Sequence, residues 1–206
     1  MKKRMVGGLL LAILGVIAAG ALSIPFVYES QTLWYKVGLA KSLLRAGQLA
    51  GLCGALVLFI QIMLGVRGKF LEEHFGAAAL MRWHRGNGLL LAFLALLHMA
   101  LVLVPEGITN LPFGTKFWPE MVGGLLLLLV LAMVITSQFR ERLGLVYKRW
   151  RFMHRLLACF VPLLAAVHVL FVSDSFKHEV PRAGLLVILA ALAVWVLQIK
   201  ISRRMV

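Results

Sequence analysis

Apolar residues fall into six long runs, at about 6–27, 46–66, 86–104, 121–137, 156–172 and 183–199, separated by short polar connections. Each run approaches the ~17–25 residues a helix needs to cross a bilayer, the last three at the short end. The pattern predicts an all-α membrane protein, a six-transmembrane-helix bundle, with no internal repeat and no low-complexity linker. One domain is expected over 1–206, and no stretch remains for a separate flavin- or nicotinamide-binding domain. The first run has a rival reading. Met1-Lys2-Lys3-Arg4, an apolar stretch and Ala19-Gly20-Ala21 also resemble a cleavable signal peptide. The apolar stretch is longer than the ~7–15 residues of a signal core, and cleavage would leave five spans.

Composition agrees with a membrane protein. Hydrophobic residues make up 62% of the chain and charged residues 15%, against roughly 45–50% and ~25% in soluble domains. The net charge of +14 raises the question of nucleic acid, but the basic residues cluster between the apolar runs, which is a topology signal. With the N-terminus inside, sixteen of the 22 Lys and Arg residues fall on the inner side, among them Lys2, Lys3, Arg4, Arg203 and Arg204. The positive-inside rule then predicts a multi-pass protein of the cell (inner) membrane with both termini cytoplasmic. The basic inner rim suits anionic lipid, and no nucleic acid partner is expected. Cys53 and Cys159 lie inside apolar runs, so no disulfide framework is indicated.

Four histidines carry the chemistry. His84 and His98 are fourteen residues apart, and so are His154 and His168. On an α-helix fourteen residues fall about 40° short of four turns and rise roughly 21 Å, so each pair shares one face at two depths. The third and fifth spans run in the same direction, which sets His84 level with His154 and His98 level with His168. Polar side chains in membrane spans are functional candidates, and neutral imidazole is an axial ligand of haem iron. Two facing His–His pairs fit two stacked six-coordinate haems. No Cys-x-x-Cys-His occurs, so the haems are expected to be non-covalent, b-type.

The flanking residues fit this picture less specifically. Arg82, Arg85, Arg151 and Arg155 could bind haem propionates or serve topology alone, and Lys177, His178 and Arg182 could play the same part at the outer level. Gly86 and Gly88 either admit a flat macrocycle or pack helices. Trp83 and Trp150 read as interfacial. Phe93 and Phe160 lie at mid-depth, as core or as filler between two haems. His74, beside Glu72 and Glu73, reads as solvated, while His178 with Asp174 and Glu179 is a possible metal or acceptor contact.

Two segments resemble a known family. Phe70-Leu71-Glu72-Glu73-His74-Phe75-Gly76, Arg82-Trp83-His84-Arg85-Gly86-Asn87-Gly88 and His98 are similar to the third helix of the ferric reductase-like transmembrane domain. Thr136-Ser137, Arg142-Leu143-Gly144, Tyr147-Lys148-Arg149-Trp150-Arg151-Phe152-Met153-His154-Arg155-Leu156 and His168 are similar to its fourth-to-fifth helix region. The likeness runs from about residue 43 to 199. The family includes ferric-chelate reductases, NADPH oxidases and the haem subunit of a periplasmic methionine sulfoxide reductase system. The resemblance implies two b haems between helices three and five, the inner held by His84 and His154 and the outer by His98 and His168. It also implies the haem-bearing membrane part of an oxidoreductase. Electrons would pass from a cytoplasmic reductant through both haems to an outer-side electron acceptor: ferric iron, dioxygen or a periplasmic redox partner. The sequence stops soon after the sixth span and shows no dinucleotide fingerprint, so the expectation is either a stand-alone haem subunit, with FAD or FMN acting only through a partner, a separate flavoprotein reductase, or a fragment.

Two other readings stay open on the residues alone. One is a quinol-linked di-haem cytochrome b anchor. The other is a metal or proton transporter with intramembrane histidines as relays.

Overall fold

The structure, a computed structural model, describes residues 2–107 and 114–202. The side chains of Lys2, Lys3 and Arg4 and all of Arg203 and Arg204, counted above on the basic side, lie outside the described residues. The chain runs through helices α1 (Lys2–Val27), α2 (Gln31–Trp34), α3 (Gly38–Val66), α4 (Lys69–Phe75), α5 (Ala77–Glu106), α6 (Trp118–Gln138), α7 (Tyr147–Val172) and α8 (Glu179–Ser202). Short 3-10 turns at Thr115–Phe117 and Asp174–Lys177 lead into α6 and α8. Six helices, α1, α3, α5, α6, α7 and α8, are long and apolar enough to cross a membrane. The protein is a helical, multi-pass membrane protein.

Several helices begin well before their apolar runs. α5 starts at Ala77 and α7 at Tyr147, nine residues ahead of the apolar runs in each case. The backbone ladder needs no apolar side chains, and the polar opening turns Ala77–Arg85 and Tyr147–Arg155 contain good helix formers. His84 and His154 therefore sit two turns inside their helices rather than at the edge. Gly76 makes the sharp entry to α5. At φ 81° it closes α4, donating its N–H to Glu72 O at 2.9 Å, and its carbonyl accepts from Leu80 N at 3.2 Å. A side chain at that left-handed φ would be strained.

Four helices form the inner bundle. α3 packs along α5 and α6 along α7, both antiparallel. α5 also meets α6, and α3 meets α7 more lightly. The ring order is thus α3, α5, α6, α7, with α5 and α7 on a diagonal where their backbones hardly approach. α1 lies against α3, and α8 follows the turn Asp174–Lys177.

The buried apolar cluster is confined to one depth. Leu91 and Ala92 of α5, Val130 of α6 and Val161 of α7 form it, with Val57 and Leu58 of α3 packed against it. Many other apolar side chains, such as Leu128, Leu163 and Val187, are exposed, as expected of surfaces that face lipid.

Candidate cofactor site

The diagonal between α5 and α7 is bridged by the four histidines. The rings of His84 and His154 have centroids 6.3 Å apart, inclined at 70°. Those of His98 and His168 are 6.2 Å apart at 79°. The fourteen-residue spacing thus produces two facing pairs at two depths, on parallel helices.

Each ring is held from behind by the neighbouring helix. His98 Nδ1–H donates to Gly47 O at 2.8 Å, His84 Nδ1–H to Gln61 O at 3.2 Å and His168 Nδ1–H to Pro119 O at 2.9 Å. A carbonyl only accepts, so Nδ1 carries the proton of the neutral ring and Nε2 the lone pair. The fourth ring differs. His154 Nδ1 lies 3.4 Å from the Ser137 hydroxyl, which itself donates to Met133 O at 2.6 Å. With that hydroxyl proton committed, Ser137 Oγ accepts from His154 and the tautomer is the same.

Small residues make room for the rings. A Cβ on Gly51 would stand 2.9 Å from His98 Nδ1, one on Gly65 3.2 Å from His84 Cε1, and one on Gly123 2.7 Å from His168 Nδ1. Gly51 and Gly65 are fourteen residues apart on α3, and Gly123 and Ser137 fourteen apart on α6. Gly51, Gly65 and Gly123 each lie four positions after the carbonyl that serves their histidine, Gly47, Gln61 and Pro119, and Ser137 lies four after Met133, whose carbonyl accepts from Ser137 itself. Midway between the two levels, at seven residues from each, stand Leu58, Leu91, Val130 and Val161. The four helices therefore share one register of three layers, His, apolar, His.

Sequence reading missed part of this site. Asn87 Nδ2 donates to Val57 O at 2.9 Å and to Gln61 Oε1 at 2.8 Å. Gln61 Nε2 in turn lies 3.3 Å from His84 Nε2. The signal was available, since both amides stand inside apolar spans. Trp150, read above as merely interfacial, has its ring 5.3 Å from that of His154. Its Nε1 is buried without a hydrogen-bond partner, as is Glu120 Oε2, next to the carbonyl that holds His168.

Other expectations are corrected. Phe93 and Phe160 are neither core nor filler, being 59% and 49% exposed. They stand nine and six residues from His84 and His154, which turns them roughly 180° and 120° off the histidine face. Gly88 packs against Gln61, whereas Gly86 opens on empty space. His178 lies against Tyr28, ring centroids 5.2 Å apart, and Lys177 pairs with Asp174 at 2.6 Å. Among the described residues no group of three His, Cys, Asp or Glu side chains is placed to hold a metal ion. His74 stays at the surface, as expected, its ring meeting Phe70 O of the same helix at 2.7 Å in an exposed hydrogen bond. Arg82, Arg85, Arg151 and Arg155 are exposed at the His84/His154 end. Arg151 lies 6.0 Å from the Tyr147 ring.

Fold and site define a class: a helical membrane protein that presents paired imidazoles across the interior of a four-helix bundle. Residues 50–165, more than half of the chain, match the family described as ferric reductase like transmembrane component, and the chain belongs to that family. The match contains His84, His98 and His154, and ends three residues before His168. No curated protein and no solved structure matches the chain.

Proposed function

We propose that the protein carries electrons across a membrane through two b haems, held by His84/His154 and His98/His168. The observation that carries this reading is the spacing of the rings. A metal held between the two facing rings through one nitrogen of each, at the roughly 2.0–2.1 Å of a metal–imidazole bond, would set the ring centroids roughly 6 Å apart. The observed 6.3 and 6.2 Å agree with this; the Nδ1 hydrogen bonds leave the Nε2 lone pairs as the donor atoms, with the Gln61 amide, 3.3 Å from His84 Nε2, having to give way at that ring. Each level offers two protein ligands, so the remaining donors are best supplied by a macrocycle. The sparse backbone contact between α5 and α7 is compatible with one between them.

When bound, haem supplies a reversible one-electron iron couple. The chain's residues do the rest. His84, His154, His98 and His168 ligate, and Gln61, Gly47, Pro119 and Ser137 fix the tautomer and the ring planes. The Trp150 N–H is a buried donor for a cofactor carboxylate, and Arg85 and Arg155, next in sequence to His84 and His154, are further candidates. Leu58, Leu91, Val130 and Val161 keep the space between the levels dry. That apolar layer contains no titratable group, which favours an electron path over a proton relay. Family membership supports a cytoplasmic reductant, in our reading a separate flavoprotein, and an acceptor on the other side.

The test is a pyridine haemochrome assay with protein quantitation on the purified, detergent-solubilised chain. Two b haems per chain are expected. Folded protein without haem would overturn the reading and favour transport; reduction by quinol but not by a flavoprotein would replace the donor.

A further inference from the structure

Three of the four histidines give their Nδ1 proton to a backbone carbonyl through a gap left by glycine. The fourth meets a side chain instead. Ser137 occupies on α6 the place that Gly123 occupies one fourteen-residue step earlier. Its hydroxyl is interposed between His154 and Met133 O, the carbonyl equivalent to Pro119 O. The contact to His154 is the longest of the four, 3.4 Å against 2.8, 2.9 and 3.2 Å.

An acceptor behind a ligating imidazole draws on the Nδ1 proton and raises the basicity of the ligand. A more basic ligand favours the more oxidised metal. A short contact to a carbonyl does this strongly. A hydroxyl oxygen at 3.4 Å does it weakly, even when its own 2.6 Å bond to Met133 O polarises it. We infer that Ser137 is a positioning residue that loosens the hold on His154 and so raises the reduction potential of the His84/His154 site relative to a direct carbonyl contact. This rests on the haem reading proposed above.

The test uses the full chain in detergent, as wild type, Ser137→Gly, Ser137→Ala and Ser137→Thr. Haem content is measured first, then midpoint potentials by optical redox titration and low-spin ferric signals by electron paramagnetic resonance. In Ser137→Gly, His154 reaches the Met133 carbonyl. One midpoint should fall by roughly tenfold in the redox equilibrium, about 59 mV for one electron. In Ser137→Ala the acceptor is lost, and the same midpoint should rise with partial loss of haem. Ser137→Thr keeps a hydroxyl that can bond the i−4 carbonyl and should retain the wild-type midpoint and signal. A His98→Ala background, with the other site removed, assigns the shifting midpoint.

Two haems per wild-type chain with both midpoints unmoved in the Gly and Ala variants would overturn the inference and leave the haem reading standing. Equal shifts in Ala and Thr would also overturn it, since a merely structural role predicts no rescue by the hydroxyl. A wild-type chain without haem overturns the haem reading itself, and the inference with it.

Discussion

Gly123→Ala is the sharpest test of how the rings are seated. The added methyl would stand 2.7 Å from His168 Nδ1 and 3.1 Å from Nε2, and closer still to Cε1. The ring cannot stay, and it leaves the Pro119 carbonyl that holds it at 2.9 Å. Overpacking of this kind costs about 1–3 kcal/mol, and a buried N–H stripped of its acceptor about 1–3 kcal/mol more. A combined loss of about 2–6 kcal/mol lowers the affinity of the His98/His168 site by roughly 30- to 20,000-fold. Gly124 is the control, because a Cβ there meets nothing within 4 Å and alanine improves helix propensity. The assay is haem per chain, with optical spectra, on both variants purified side by side. Gly123→Ala is expected to keep one haem of two and Gly124→Ala both. Full occupancy with an unchanged spectrum in Gly123→Ala would refute the placement of His168 against α6.

Further outcomes follow from the same geometry. His98→Ala should halve the haem content and leave the His84/His154 signal nearly unchanged in an electron paramagnetic resonance spectrum. Asn87→Ala removes two intramembrane hydrogen bonds, each worth about 0.6 kcal/mol and at most about 1.7, so a thermal melt in detergent should fall modestly and the His84 ring should lose definition. Glu29 lies outside the spans and is held below the ordinary carboxylate value, first by the hydrogen bond from Lys41, then by the charges of Lys41 and Arg45, with burial opposing. Its stabilisation is therefore present above the unfolded value and lost as pH falls through the lower folded one. Glu29→Gln should melt below wild type at neutral pH, and the gap should close in acid. A gap that persisted there would rule out the ion pair as its cause.

The six spans and the two histidine pairs were legible because their signals are local: runs of apolar residues, and a repeat of fourteen along one helix. What holds the rings was not, because it depends on which helix lies behind which. Gly51 and Gly65 carry the histidine spacing on α3, and Gly123 and Ser137 carry it on α6. The repeat gains its meaning once those helices are antiparallel partners of α5 and α7. Gly86 and Gly88 drew notice for standing near His84 in sequence, yet the glycine against that ring is Gly65, from another helix. Phe93 and Phe160 show the complementary error, in which mid-depth position was weighed without helical phase. Leu91 and Val161, seven residues from each histidine, have the right phase and do fill the middle.

That middle layer also bears on energetics at the scale of the cell. Four aliphatic side chains, none of them titratable, stand between the two levels as an apolar seal, which under the electron-carrier reading gives a proton no side-chain relay with which to follow an electron. Under the electron-carrier reading, every turnover then displaces net charge through roughly 21 Å of a hydrocarbon core of ~30 Å. A full crossing works with or against the membrane potential at about 2.3 kcal/mol per 100 mV. The seal makes voltage a driving or braking force on the reaction. The rate in an energised vesicle should therefore differ from the rate in detergent, with no change in either redox partner.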